Sequence, residues 1–521
     1  MKFSEIINDQ QLATEAIRRW ITVAIFIVIA MVTANGIAHQ QLFMFALLIG
    51  VGVTTFVTVG MQRSAWILIV MGWYFMGNTN ALPVPLSIRD MVVLLVTFSY
   101  FAQRVFGQTA QRPRGALGVL VFINCAYIAF TFLCHPVGLR AFGAQTMGGR
   151  PYFSIFLGLC AYWVIVHLPD SYKSVSRIPL WLMAGATFAA LISMVGLVFP
   201  PIAPYVWYFY SGVDISAYLG RLNPTLAEPE MHRLTALSPF GSMLIQVLSA
   251  YYPPRKLLDP TRWQFYLSVL GFVAIFASGF RNSLAFALAC MALAAWFHRG
   301  WREVAVAGII GAAFLGLLVF GQGRLFRLPL PAQRTLGSLP GQWDESVKEG
   351  ITISNSRWDW WRKIIAEGSI KNWWFGDGFG MSEADYTLIA SGTVSFEDSA
   401  TISGNLHNGP LTAIHYAGVV GLVLLYALMI AAAIHSVRCA RRCRGTPLFP
   451  VAVFLATQLM WKPIHYTLLF GSYEIEPTEY MFLVGLLSLV WRMSERTPPS
   501  MAPAATERPF SRNNGGTRVS A

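Results

Sequence analysis

The chain has 521 residues, of which 55% are hydrophobic and 12% are charged, about half the charged fraction of an average soluble domain. This composition excludes a soluble globular enzyme, a disordered protein and a fibrous protein, and it predicts a chain that crosses a membrane many times. The net charge of +13 does not indicate nucleic-acid binding, because the basic residues are spread over many short loops. Six cysteines in a chain of this length also exclude a disulfide scaffold.

Apolar stretches long enough to cross a bilayer follow one another along most of the sequence. We predict an all-α polytopic membrane protein with about 12–14 transmembrane helices. The third and fourth candidates flank a Pro-containing stretch, so they are alternatively the two arms of one re-entrant element. The candidate spans are residues 20–38, 41–60, 64–79, 89–103, 115–134, 152–169, 178–199, 236–252, 262–279, 282–298, 303–320, 408–434, 448–470 and 478–493.

The positions of the basic residues predict the orientation of these spans. With the N-terminus in the cytosol, every short inside loop carries Lys or Arg, as the positive-inside rule expects. An even number of spans then places both termini in the cytosol. We divide the chain into an N-terminal bundle of about eleven spans (1–320) with an outside loop near 200–235, a long outside loop (321–406), C-terminal transmembrane helices (407–493) and a basic, disordered cytosolic tail (494–521).

The long outside loop 321–406 contains a predicted amphipathic helix. The loop exceeds the length of a simple turn and is nearly neutral, with ten acidic and eight basic residues. Its stretch RWDWWRKIIAEG puts Trp358, Trp361 and Ile365 on one helical face and charged residues on the other. This helix either lies along the outer membrane surface or packs on the helix bundle.

Several arginines lie where outside loops meet predicted spans. Arg281 lies in a very short outside turn, Arg233 begins a span and Arg357 opens the amphipathic helix. Arg221 lies in the outside loop before Arg233. A charge at this depth is functional by default, although each arginine is alternatively a flank residue that reaches lipid phosphate. Guanidinium groups bind phosphate oxygens in bidentate fashion, so these arginines indicate a phosphate-bearing lipid ligand.

His407 and Asn408 lie where the long loop is predicted to re-enter the membrane. Imidazole takes up a proton near neutral pH, so His407 is a candidate general base, and Asn408 is a candidate to position the ring or a substrate. The alternative is a histidine that only caps the span. Gly418 and Gly421 are three residues apart in this span and are predicted to permit close helix packing.

The sequence contains no Walker A motif, no HExxH motif, no paired-cysteine zinc spacing and no Asp-x-Asp motif. We therefore expect chemistry without a cofactor, a metal or a nucleotide. Lys462 is a charge inside a predicted span, and it is the feature that favours a transporter or flippase as the alternative.

The pattern His-Asn-x9-Gly-x2-Gly at 407–421 resembles the signature of the O-antigen ligase and polymerase superfamily. The stretches SGFRNSLAFAL, RLTALSPFG and RWDWWRKIIAEGSIKNWWFGDGFG are similar to other segments of that family, and the likeness covers about residues 200–440. Phe280 and Asn282 depart from the small residues that usually surround the family's arginine. The resemblance implies a multi-pass glycosyltransferase of the bacterial inner membrane with a periplasmic active site.

The resemblance also implies the substrates. The donor would be a glycan on a polyprenyl diphosphate, and the acceptor a sugar hydroxyl on lipid A-core in a ligase, or on a second lipid-linked glycan in a polymerase. The catalytic residues would be His407 and Arg281. The substrate-binding residues would be Arg221, Arg233, Arg357 and Asn408. Membrane lipids are the other expected partners, and the choice between ligase and polymerase, like the oligomeric state, stays open.

Overall fold

The structure, a computed structural model, describes residues 52, 64–79, 86–105, 115–138, 146–167, 171–215, 218 and 234–496. Over these ranges the chain is mostly helical and lacks any extended sheet, which confirms the predicted all-α membrane fold. Apart from residue 52, the first two predicted spans, 20–38 and 41–60, lie outside the described residues, as do Arg221, Arg233 and the tail from residue 497 onward.

The described helices follow the predicted spans from residue 86 onward. In chain order they are α1 (Trp66–Gly72), α2 (Ile88–Val105), α3 (Ala116–Cys134), α4 (Gly149–His167), α5 (Tyr172–Ser176), α6 (Ile178–Val198), a 3-10 turn (Pro200–Ile202), α7 (Ala203–Phe209), α8 (Leu237–Tyr251), α9 (Pro254–Leu257), α10 (Trp263–Ser278), α11 (Arg281–Arg299), α12 (Trp301–Gly321), α13 (Leu330–Leu336), α14 (Glu345–Ala366), α15 (Glu383–Ala390), α16 (Phe396–Ser403), α17 (Gly409–Arg442), α18 (Phe449–Leu468) and α19 (Glu476–Arg496). Two short strands, β1 (Thr146–Met147) and β2 (Met381–Ser382), pair antiparallel. Among the described helices, α3, α4, α6, α12 and α17 are long and apolar enough to cross a membrane.

The third predicted span, 64–79, is not formed by a membrane-crossing helix. Helix α1 has seven residues and a length of about 10 Å, too short for a hydrocarbon core of about 30 Å. The chain then turns back, and the amide of Thr79 donates to the carbonyl of Leu86 at 2.8 Å. This pairing favours the alternative in which the third and fourth candidates form one re-entrant element.

The chain divides into two compact units. The first contains α1, α2, the end of α6 from Leu191 and α7, with Ala203, Tyr210 and Val213 in its core. The second contains α3 to α5, most of α6 and the helices from α8 onward. All of the candidate site residues that the structure describes belong to the second unit.

Helix α18 lies at the centre of the second unit, where residues 451–459 are all buried. A helix that is apolar and buried all round belongs to the interior of a bundle. Its buried Gln458 donates to the side-chain oxygen of Gln246 at 2.9 Å and so joins α18 to α8. On α12, in contrast, Ile309 and Phe320 are exposed, as expected for a helix that faces lipid.

Loops that the sequence predicts to be cytosolic come together at one end of the second unit. Glu303, in the first turn of α12, lies 2.8 Å from Arg255 and 3.5 Å from Arg299. The guanidinium of Arg444 donates to the carbonyl of His298 at 3.4 Å. Three separate predicted inside loops thus lie on the same side of the second unit, and the orientation of their spans stays a prediction.

Candidate functional site

Helix α14 packs on the segment that leads to His407. Its buried face carries Trp360 and Ile364, which are 5% and 3% exposed and share one apolar cluster with Leu406. The indole N–H of Trp361 donates to the carbonyl of Leu406 at 2.8 Å. The long outside loop is therefore attached to the chain directly before the candidate base.

The predicted apolar face of α14 remains largely exposed. Trp358 and Ile365 are 64% and 51% exposed, while Trp361 is partly buried. The basic residues Arg362 and Lys363 are exposed on the same helix. Packing on the bundle thus uses a second apolar face, and the exposed stripe with neighbouring basic residues is typical of a helix at a membrane surface.

His407 lies at the junction between this loop and α17. It is the one non-glycine residue with a clearly positive φ, 52°, in the described part of the chain. Its ring centroid lies 5.4 Å from that of Phe470, just after α18. Burial lowers the pKa of the His407 imidazole below its usual value, and the positive charge of Arg357 lowers it further. The neutral ring, which is the form that accepts a proton, is therefore favoured at neutral pH.

Asn408, and not His407, caps α17. The side-chain oxygen of Asn408 accepts a hydrogen bond from the amide of Leu411 at 3.0 Å, the usual geometry of an N-cap. The alternative in which the histidine serves as the cap is therefore wrong. The side-chain amide nitrogen of Asn408 takes no part in this bond. The role of Asn408 in substrate binding stays a prediction.

Arg281 is the first residue of α11 and follows a tight turn in which Gly279 ends α10 with a φ of 72°. Its Nε donates to the backbone carbonyl of Arg334 on α13 at 3.1 Å. Two residues further on, the hydroxyls of Ser283 and Ser238 hydrogen-bond and join α11 to α8. The turn at Arg281 is therefore held from two sides, and two of the segments that carry the family resemblance meet here.

A shared apolar core connects the first turn of α11 with α14. Leu284 of α11, Leu336 of α13 and Val347 of α14 belong to the same cluster. From Val347, helix α14 continues to Arg357, whose charge acts on His407. The elements that hold the two described arginines and the histidine thus pack one on the next.

The loop segment 373–378 approaches α17 backbone to backbone. Gly418 interrupts the helix with φ 68° and ψ −178°, a conformation that is essentially restricted to glycine. A Cβ on Gly418 would overlap the carbonyl oxygen of Trp374, and a Cβ on Gly376 would overlap the backbone of Tyr416. The close backbone approach that Gly418 permits is therefore to the loop, and not to another helix as the sequence predicted.

Two hydrogen bonds of an unbroken helix are replaced by four bonds to this loop. In an unbroken helix, the amides of Val419 and Val420 would donate to the carbonyls of His415 and Tyr416. Here the two amides donate to loop carbonyls, and the two carbonyls accept from loop amides, so that all four groups are satisfied. The four bonds are Val419 to Trp373 at 2.8 Å, Val420 to Trp374 at 3.2 Å, Asp377 to His415 at 2.7 Å and Gly378 to Tyr416 at 3.1 Å.

The interruption also bends α17. The hydroxyl of Tyr466 donates to the carbonyl of Gly409 at 2.6 Å, and the hydroxyls of Tyr426 and Thr467 hydrogen-bond at 2.7 Å. In a straight helix Gly409 and Tyr426 would be about 25 Å apart, yet they contact consecutive residues of α18.

The part of α17 after the bend, residues 419–442, has a length of about 36 Å and is sufficient to cross the bilayer alone. The sequence predicts a span that starts at residue 408. In the structure, residues 409–417 instead form a separate helical segment with His407 just before its first turn. Within the longer part, a Cβ on Gly421 would overlap the Cβ of Ala417 and would lie 3.1 Å from the ring of Tyr127 on α3.

An aromatic cluster that no local sequence pattern reveals holds the end of the loop. Phe379 stacks on Tyr416 with ring centroids 4.5 Å apart and meets Tyr152 edge-on at 4.7 Å. The hydroxyl of Tyr416 donates to a carboxylate oxygen of Glu474 at 2.9 Å, and burial raises the pKa of Glu474. These four residues come from distant parts of the chain, so sequence spacing could not signal the cluster.

Lys462, the charge predicted inside a span, has carboxylate partners. Its ammonium lies 2.9 Å from Glu476 and also pairs with Glu479. Both glutamates are in the first turn of α19, so the ion pairs join α18 to α19. The charge thus has a local structural explanation, which weakens its value as a sign of a transport pathway.

No group of three or more His, Cys, Asp and Glu side chains in the described ranges is placed to hold a metal ion. The expectation of metal-free chemistry is not tested by this and stays a prediction.

Residues 266–426 match a family model described as O-antigen ligase. The matched region runs from α10 into α17 and contains Arg281, Arg357, His407 and both glycines of the motif. No curated protein matches the chain.

Proposed function

We propose that this member of the O-antigen ligase superfamily moves a glycan from a polyprenyl-diphosphate carrier to an acceptor sugar hydroxyl at the periplasmic face of the bacterial inner membrane. The observation that carries the proposal is the packing of α14, the helix that carries Arg357, on the segment directly before His407. The positive charge of Arg357 lowers the pKa of the His407 imidazole.

The reaction needs a base for the acceptor. The oxygen of the acceptor hydroxyl attacks the anomeric carbon, and the bond between that carbon and the diphosphate oxygen breaks. The diphosphate leaves with the bonding electron pair, and the hydroxyl proton passes to the neutral ring of His407, which later returns it to water. A base in this position contributes roughly 10²–10⁴-fold to the rate.

The leaving group needs positive charge. Arg281 and Arg357 would bind the diphosphate oxygens, and each charge-assisted hydrogen bond contributes about 1.5–3 kcal/mol. The bond from Arg281 Nε to the carbonyl of Arg334 fixes the plane of the guanidinium. Helix α11 begins at Arg281 without a side-chain cap, so its first amides add partial positive charge beside it.

The loop that packs against Leu406, directly before His407, would keep water from the reacting centre, since water would otherwise hydrolyse the donor. Among family activities we favour a ligase that transfers to lipid A-core. A polymerase that uses a second lipid-linked glycan is the alternative with the same chemistry. A transporter or flippase is the alternative from another class, and its main support was Lys462, which is paired in the structure.

The test is transfer by the purified full-length protein in lipid nanodiscs, with a polyprenyl-diphosphate glycan as donor and excess chelator. Lipid A-core and a second portion of the lipid-linked glycan are offered as acceptors in separate reactions. We expect product on one of them, and loss of product in His407→Asn. Movement of the lipid-linked glycan across liposome membranes without any transfer would overturn the proposal in favour of a transporter.

A further inference from the structure

Trp361 contacts the peptide group that carries the candidate base. Its indole N–H donates at 2.8 Å to the carbonyl of Leu406, and that carbonyl belongs to the peptide bond between Leu406 and His407. Because a peptide group is planar, holding its carbonyl also fixes the position of the amide nitrogen of His407.

This peptide is held next to a backbone conformation that needs support. His407 has a φ of 52°, and residues other than glycine keep such a conformation when their surroundings hold it. Leu406 is buried in the cluster formed with Trp360 and Ile364, so the segment is anchored by packing as well as by the indole bond.

Arg357 and Trp361 are four residues apart on α14 and therefore lie on the same face of the helix. We propose that Trp361 is a positioning residue of the transfer reaction, which holds the Leu406–His407 peptide and thereby the position of the imidazole relative to α14. This inference rests on the proposed function, in which the imidazole is the general base.

The pKa of the His407 imidazole reports the position of its ring, because the ring lies near a charge. The positive charge of Arg357 on α14 lowers its pKa. After α18 the ring meets the uncharged Phe470. Lys462, earlier in α18, is paired with the carboxylates of Glu476 and Glu479. A ring that moves away from Arg357 and into water regains a pKa closer to 6.5.

The experiment compares Trp361→Phe with Trp360→Phe in the transfer assay, as full pH profiles of kcat and of donor KM. Trp360 is a matched control, since it is a buried neighbour whose indole donates to the Thr401 hydroxyl at 3.1 Å and not to the peptide of His407. For Trp361→Phe we expect kcat to fall about 3- to 10-fold and the acid limb of the profile to move to higher pH, with donor KM little changed. For Trp360→Phe we expect the wild-type acid limb.

Wild-type kcat and acid limb in Trp361→Phe would overturn the inference and leave the proposed function intact. Failure of the proposed function would be seen in a different variant: the pH profile of His407→Asn would then still show the wild-type acid limb. If Trp361→Phe does not accumulate, Trp361→Gln carries the test, since its side-chain amide retains an N–H donor, does not titrate and should keep the acid limb near that of the wild type. An acid limb displaced in Trp361→Gln as far as in Arg357→Gln would overturn the role of the donor.

Discussion

The amide of Val419 donates to the carbonyl of Trp373 at 2.8 Å, where an unbroken helix would offer it the carbonyl of His415. The loop beside the candidate site is therefore part of the hydrogen bonding of α17 and does not simply lie over it. The conformation of Gly418 makes this exchange possible, and the first prediction concerns this residue.

Gly418→Ala should straighten α17 and release the loop. An alanine at φ 68° and ψ −178° costs about 1–3 kcal/mol, and its Cβ would also overlap the carbonyl of Trp374. We expect faster amide exchange in residues 373–378 and at least about a tenfold loss of transfer. Gly311→Ala is the control, because its Cβ meets no atom within 4 Å and alanine favours a helix. If the amides of residues 373–378 exchange at the wild-type rate in Gly418→Ala, this explanation of the bend is wrong.

His407→Asn and His407→Ala should both lower the transfer rate by about 10²-fold or more, while donor binding changes little. Asparagine tolerates a positive φ better than most residues, so it preserves the backbone and separates the loss of the base from loss of structure. His415→Gln is the control and should be better tolerated. An active His407→Asn at matched protein level would remove the general-base role.

The transfer rate should rise with pH through the pKa of His407, which lies below 6.5, because only the neutral ring accepts a proton. Removing the positive charge of Arg357 favours the protonated ring and raises this pKa. Arg357→Gln should therefore move the acid limb to higher pH, whereas Arg357→Lys should keep the limb and weaken donor binding. If the pH profiles of wild type and Arg357→Gln have the same acid limb, the side chains of Arg357 and His407 do not interact in the active protein.

Arg281→Lys should be damaging although the charge is retained. Lysine has neither the Nε that donates to the carbonyl of Arg334 nor the fork that binds two phosphate oxygens. We expect a loss of about tenfold or more in kcat/KM for the donor. Arg334→Lys is the control, since the acceptor there is a backbone carbonyl that the substitution leaves in place. A fully active Arg281→Lys would favour a residue that only reaches lipid phosphate.

Lys462→Met should destabilise the protein by about 3–5 kcal/mol, because it leaves the carboxylates of Glu476 and Glu479 largely buried without their partner. The triple variant Lys462→Met/Glu476→Gln/Glu479→Gln should regain most of that stability, measured by thermal unfolding in detergent. Its transfer activity per folded molecule should be close to wild type. A stable triple variant without transfer would show that these charges take part in function.

The sequence predicted most of the helices because an apolar run of sufficient length is a local property. The prediction of 178–199 against the observed Ile178–Val198 shows how closely such runs define a helix. The prediction of a span failed at residues 64–79, where the apolar composition continues but the helix is short. Composition does not record where the backbone turns, and the turn here depends on pairing with residues after the Pro-containing stretch.

The candidate site was predictable in its residue types and not in its contacts. His407 and Arg357 belong to local motifs, but their position relative to each other depends on how α14 packs. The apolar residues of α14 cover a wide arc, so periodicity could not tell that Trp360 and Ile364 would be buried and Trp358 would be exposed. The glutamate partners of Lys462 lie beyond a loop, where no spacing rule applies.

The bonds between residues 373–378 and 415–420 also impose an order on biogenesis. In the proposed topology, the loop leaves the ribosome before α17 and must reach the periplasm before its backbone can meet the helix. A helix inserted as a straight rod would already pair Val419 and Val420 internally, and later docking of the loop would have to break those bonds inside the membrane region. In that topology we expect translocation of the loop and bending of the helix to be coupled, so that slow export of the loop would leave the protein with a straight helix.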